Sequence, residues 1–307
     1  MNVEYEFRLF QDKFGPYKKH FRHLEHKSSN DMVFVIKILT THSDFKRVLD
    51  LVSQNQKTFS APLATNVYTE KERLSAEILH LNFISGTSRG MSGDEYGTKY
   101  KIIAHCNDLA LKKQSSPLRI NKRNLSAKDI QETFSYETII SDRFKTILKD
   151  NKVTGYELGQ IFNPTKIKET ADDVNYVSDE QVKLDAWYQL IPVVTCGNAV
   201  LPTKYGIHFH NFSIEDQNRH NPLYQRTCGE YRLTTGPGIG SAFHFKRRNW
   251  PGTDIAMASE LRIAEYYCPF IIITQKLYRI MKEKRVTGFK AEPAYFVDWR
   301  YSIWNQG

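Results

Sequence analysis

The stretch IITQKLYRIMKEKRVTGFKAE (272–292) decides the reading of this chain, because most of it occurs a second time as IISDRFKTILKDNKVTGYE (139–157). Aligning Ile140 with Ile273 sets an offset of 133 (273 − 140) without a gap. In that register Lys149 meets Lys282, Val153 meets Val286, Thr154 meets Thr287, Gly155 meets Gly288 and Tyr156 meets Phe289. Each copy starts on an apolar strand end. Ser141 or Thr274 then stands at an N-cap position, and Phe144, Ile147, Leu148 or Leu277, Ile280, Met281 recur at helical spacing. The cations Lys149 and Lys152, or Lys282, Lys284 and Arg285, fall where a helix C-terminus favours positive charge. Both copies are predicted as strand, capped helix, turn and second strand.

Working outward, Val3, Tyr5, Phe7 and Leu9 alternate with polar residues, which marks a half-buried strand. A second strand is expected over MVFVIKIL (32–39), followed by a helix from Phe45 to about Ser53 capped by Ser43 and Asp44. Residues 70–81 are expected to form another helix, residues 85–97 a glycine- and serine-rich loop, and residues 99–105 a strand. The polar stretch 114–123, with Pro117, is expected to cross the surface. The charged segment 169–181 marks the seam between two halves, 1–165 and 166–307. WYQLIPVV (187–194) is expected to be a strand at an edge or bulge because of Pro192, and residues 242–246 a short strand. The predicted class is α+β: mixed strands and helices in two closely packed halves, each with one copy of the repeat.

A hydrophobic content of 40% and an aromatic content of 13% exclude general disorder. The apolar run at 266–273 is broken by Pro269 and is too short to span a bilayer, and the first residues lack a signal-peptide core. A cytoplasmic location without a membrane partner is expected. The net charge of +9 suits an acidic protein, a nucleic acid or an anionic surface without choosing among them. Cys106, Cys196, Cys228 and Cys268 form no close pair, and in a chain without an export signal they are expected to be free thiols.

Several stretches, in their order, resemble the double-CXXCG-motif family of bacterial immunity proteins, which protect cells from toxins. They are the helix and exit at 139–157, WYQLI (187–191) followed by Cys196-Gly197, the Cys228-Gly229 turn, Thr253-Asp254-Ile255, and CPFIIITQKLYRIMKEKRVTGFKAEP (268–293). The resemblance covers about half the chain, residues 139–297. Both naming motifs lack their first cysteine: Val193 and Gln225 stand where it is expected, leaving Thr-Cys-Gly twice. The resemblance implies a non-catalytic protein that binds and neutralises a cognate toxin. An intact motif pair would offer four thiolates to a structural zinc, and two cannot complete that shell.

Two other readings rest on residues. His208 and His210 point to one face if they lie in a strand, and with Cys196 and Cys228 they compose a zinc shell; with His220 they also form the cluster that a metal-dependent enzyme would use. The bland alternative, a decayed site with no metal and no cofactor, carries more weight. A nucleic-acid-binding reading leans on Lys246, Arg247 and Arg248 beside Trp250, a basic run next to a ring that could stack on a base. The same four residues are the expected contact surface for a toxin, where Trp250 would anchor and the cations would steer. The chain shows no Walker A loop or HExxH helix. Gly236, Gly238 and Gly240 around Pro237 read as a loop, and Asp172, Asp173, Asp179 and Glu180 as solvated charges.

Overall fold

The computed structural model describes residues 2–10, 17, 21, 24, 26–29, 33–55, 63–83, 96–106, 109–164, 167–168, 176–177, 181–203, 225–234, 236–237, 241–262 and 264–298. The expected loop at 85–97 therefore lies almost wholly outside the described residues, as do His208, His210, His220 and the four acidic residues of the seam.

Strands β1 (Asn2–Phe10), β2 (His26–Ser29) and β3 (Val33–Leu39), helix α1 (Phe45–Gln54) and strand β4 (Leu63–Val67) make a first layer, with sheet order β2-β3-β1-β4. The alternation along β1 buries Tyr5 and Phe7 against Ile36 and Ile38 of β3, while Val48 and Val52 of α1 close the cluster. Asp44 makes no side-chain cap bond to α1; its carboxylate pairs with Arg47 at 3.3 Å.

Residues 70–81 depart from the single helix expected there. Helix α2 (Glu70–Ser75), opened by a Thr69–Glu72 capping box, gives way to extended backbone at Ala76 and to strand β5 (Ile78–Phe83). Ile78, Leu79, His80 and Leu81 are all buried, so β5 is covered on both faces and its apolar run has no two-residue alternation to reveal it. Strands β6 (Tyr100–Cys106) and β7 (Leu109–Gln114) form a hairpin. Strand β8 (Leu118–Arg119) then contradicts the surface crossing expected for 114–123, since Leu118 and Ile120 are fully buried.

The chain continues through β9 (Ile130–Glu132), β10 (Thr138–Ser141), helix α3 (Asp142–Asp150), β11 (Tyr156–Pro164), β12 (Ile167–Lys168), β13 (Tyr176–Val177) and β14 (Gln181–Pro192). A five-stranded sheet has the order β8-β11-β14-β10-β9. Strand β14 is thus central, and Pro192 is its last residue, where a missing N–H costs no interior ladder bond. Strands β15 (Gln225–Cys228), β16 (Tyr231–Thr234), β17 (His244–Lys246), β18 (Ile255–Arg262) and β19 (Pro269–Thr274), helix α4 (Gln275–Glu283) and strand β20 (Phe289–Val297) complete the chain. The seven-stranded sheet runs β15-β16-β18-β19-β5-β20-β17. The class is α+β with strands dominating, and among the described residues no helix is long and apolar enough to cross a membrane.

The two sheets share a pairing scheme. Thr138, Ile139 and Ile140 face Leu190, Gln189 and Tyr188, and on the other side of β14 Leu158 and Gly159 face Leu190 and Gln189. Ile271, Ile272 and Ile273 face Leu81, His80 and Leu79, and on the other side of β5 Ala291 and Glu292 face Leu81 and His80. The offset of 133 relates the outer strands, and an offset of 109 (190 − 81) carries β5 onto β14. Each middle strand comes from the other side of the expected seam, so residues 1–165 and 166–307 exchange one strand. Leu79, Leu81, Ile140, Leu148, Ile273, Leu277 and Met281 accordingly lie in one core.

Two aspartates tie the segments together crosswise. Asp129 accepts hydrogen bonds from the Ser141 hydroxyl (3.0 Å), from Arg143 (2.6 Å), and from the N–H (2.9 Å) and hydroxyl (3.0 Å) of Thr287. Asp254 accepts from the Thr274 hydroxyl (3.2 Å), Lys276 (3.3 Å) and the Thr154 N–H (3.2 Å). Each carboxylate therefore joins the N-cap and the cationic second residue of one helix to the exit threonine of the other segment. Burial alone would raise the Asp129 pKa, but the bonds from Arg143, Thr287 and Ser141 outweigh it and hold the carboxyl below its usual range.

Candidate functional site

The basic run predicted from sequence lies at the edge of the seven-stranded sheet. Lys246 ends β17, residues Arg247–Asn249 form a single 3-10 turn, and Trp250 follows. Arg247 is committed inside the chain: its guanidinium meets both Glu77 oxygens at 3.1 and 2.7 Å, comes within 3.5 Å of Asp298 and lies 4.6 Å from the centre of the Phe296 ring. Trp250 is half-buried, packs on the Phe243–Phe245 cluster and meets the Phe296 ring edge-on at 5.5 Å. Lys246 and Arg248 remain, and among the described residues neither is in an ion pair. With Val297 and Asp298 they border a depression of about 590 Å³. The His244 ring stacks on Tyr295 at 5.4 Å beside it, and Tyr295 keeps 39% of its surface exposed. Two of the four predicted residues thus face outward together, while Arg247 and Trp250 hold the edge in shape.

The cysteines correct the sequence reading. Cys196 and Cys268 are free and buried, and burial pushes both thiols up to about 12, so they are protonated. The Cys196 thiol donates to the Met257 carbonyl at 3.4 Å. Cys228 is buried and disulfide-bonded, against the expectation of free thiols throughout. Cys196 is not its partner, and a disulfide sulfur does not supply the thiolate that the Cys196, His208, His210, Cys228 shell requires. Among the described residues no group of three or more histidine, cysteine, aspartate or glutamate side chains could hold a metal ion.

A second feature had no local signature. A cleft of about 480 Å³ opens between the β6–β7 hairpin, the β9–β10 turn, the end of β14 and the start of β19. Its charges are mostly spent internally. Glu137 accepts from the Tyr100 hydroxyl at 2.5 Å and from the Thr133 hydroxyl, while Glu132 pairs with Arg262 at 3.1 Å. Burial pushes Glu132 up to about 7, and Arg262 only partly opposes the shift. Gln114 and Gln189 exchange hydrogen bonds of 3.1 and 2.7 Å, and Lys112 pairs with Glu265 at 3.1 Å. Tyr136 holds a positive φ of 67°, an uncommon conformation for a side-chain-bearing residue, and its ring lies 5.6 Å from the Arg262 guanidinium. Beside it Ser135 is 2% exposed, and among the described residues its hydroxyl has no hydrogen-bond partner. The tyrosines at 100, 136, 266 and 267 converge only through the fold, so no spacing in the sequence announces them.

No protein-family model matches this chain, and a comparison with curated proteins gives no match.

Proposed function

We propose that this protein is a cytoplasmic immunity-type protein that binds and neutralises a cognate toxin protein without catalysis, metal or cofactor. The order of the stretches resembling the double-CXXCG-motif family supports this reading, and the basic edge supplies a surface for it. The observation that carries it is the pair Lys246 and Arg248, outside any ion pair among the described residues, at the rim of a depression beside exposed Tyr295. Such a site offers steering charge to an acidic toxin surface and an aromatic contact at its border. We also propose that residues 139–157 and 272–292 are two copies of one ancestral unit, one in each half of the chain. Matching caps support this: the Ser141 hydroxyl accepts from the Phe144 N–H as the Thr274 hydroxyl accepts from the Leu277 N–H.

The test is a binding titration with candidate toxins encoded beside the gene. The double variant Lys246→Glu, Arg248→Glu is expected to weaken the interaction by about 10- to 100-fold, mainly through slower association. Unchanged toxin binding in the double variant would remove this surface from the proposal. DNA or RNA bound at physiological salt, and released by the same reversal, would favour the nucleic-acid-binding reading.

A further inference from the structure

We propose that helices α3 and α4 together form a basic face that binds the phosphate backbone of duplex nucleic acid without reading its sequence. Residues 139–157 and 272–292 hold ten lysines and arginines against five aspartates and glutamates, so they supply five (10 − 5) of the chain's net charge of +9. The fold sets the two segments side by side. Arg143, the second residue of α3, donates to the Lys284 carbonyl at the end of α4, while Lys276, the second residue of α4, shares Asp254 with Thr154 just beyond α3. The helices therefore run antiparallel, each start beside the other's end. Phe144, Leu148, Leu277 and Met281 close on one core, which leaves the opposite side of both helices to solvent.

Arg143, Lys276 and Lys282 are spent on Asp129, Asp254 and Glu70. Lys149, Lys152, Arg279 and Arg285 are exposed, and among the described residues none of them is in an ion pair. A helix C-terminus attracts a cation in its last turn, which accounts for Lys149 but not for Arg279 in the middle of α4. Lys152 and Arg285 follow the helix ends with φ of 51° and 50°, a left-handed backbone that favours glycine, yet both segments carry a cation there. What this face lacks selects the partner. None of the exposed large apolar side chains lies in either segment, so a protein partner finds no anchor and a single strand no aromatic ring on which to stack. A duplex backbone asks only for cations. Each helix has nine residues and is about 13 Å long, a length over which a duplex presents about eight phosphates.

The full-length chain is titrated by fluorescence anisotropy with labelled DNA duplexes of about 20 base pairs in two unrelated sequences, and with an RNA duplex of the same length. At least one kind of duplex is expected to bind with a Kd of about 10 μM or tighter at about 50 mM salt, and log K to fall with log salt with a slope of about −2 to −4. The variant Lys152→Gly, Arg285→Gly removes two charges while giving each position the residue its backbone favours, so it is expected to melt no earlier than the parent. It should nonetheless bind at least about fivefold more weakly, with the slope reduced by about 2. Lys99→Gln, Lys101→Gln removes two exposed cations at the β6–β7 hairpin and is expected to change binding less than about twofold. The proposal is overturned if no duplex binds at about 100 μM protein, or if the folded glycine variant binds as the parent does. It is equally overturned if the hairpin variant loses as much, if the two DNA sequences differ more than about tenfold, or if vesicles with anionic headgroups bind where duplexes do not.

Discussion

Gly155 and Gly288 show how a residue legible in the sequence can owe its identity to a distant neighbour. Both have φ of +95°, and a Cβ on Gly155 would collide with the Ile255 carbonyl, one on Gly288 with the Ile130 carbonyl. Those same loci are joined by backbone bonds, Ile255 N–H to Thr154 O at 3.0 Å and Ile130 N–H to Thr287 O at 3.1 Å. Gly155→Ala and Gly288→Ala should therefore each cost more than about 3 kcal/mol, since left-handed strain and a backbone collision add. Denaturant midpoints for either variant close to the parent's would show that the exit can move aside. Glu132 gives a second test. Its pKa is raised by burial to about 7, so folding favours the protonated form. The resulting stabilisation is complete below the unfolded value near 4.3 and is lost as pH rises through about 7. The Glu132→Gln variant should lack that loss, so the parent should fall in stability relative to it between about pH 5 and pH 8. Parallel pH profiles in the two proteins would contradict the assignment.

At the scale of elements, legibility followed the visibility of periodicity. Helices α3 and α4 begin at the predicted caps, and Leu277 and Met281 of α4 are buried as their spacing required, because one polar face contrasts with one apolar face. Strand β1 was readable for the same reason with a period of two. Strand β5 was not, since both its faces are covered and the preceding capping box at Thr69 and Glu72 announces a helix that lasts only to Ser75. Strand β8 failed differently: two residues pairing in parallel with Ile161 and Phe162 carry no periodicity at all. Of the candidate site, the sequence located the cations at 246 and 248. It could not locate Glu77 and Asp298, which neutralise Arg247 from 170 and 51 (298 − 247) residues away. The cleft was hidden because its lining is assembled by tertiary contacts rather than by any single element.

For the whole molecule, the exchange of β5 and β14 has a consequence that no single element reveals. Cut between residues 165 and 166, the chain gives one fragment whose β5 lacks both its neighbours, β19 and β20, and whose β10 and β11 lack the strand between them. The other fragment has an isolated β14, and β19 and β20 with an empty place between them. Ile78, Leu79 and Leu81 would become exposed, and unpaired strand edges would favour aggregation. Neither fragment is therefore expected to build the shared core alone, although the β2-β3-β1-β4 sheet lies wholly within the first. Expressed together, they should pair with each other, since every missing ladder is restored by the partner fragment and the shared core around Leu79, Ile140 and Ile273 can close. The measurement is co-purification through a tag on one fragment, followed by thermal unfolding monitored by near-ultraviolet circular dichroism. A cooperative transition should appear for the mixture and none for residues 166–307 alone. A cooperative transition in residues 166–307 alone would mean that the second half completes its sheet without the exchanged strand, and the interlocked description of the molecule would fail.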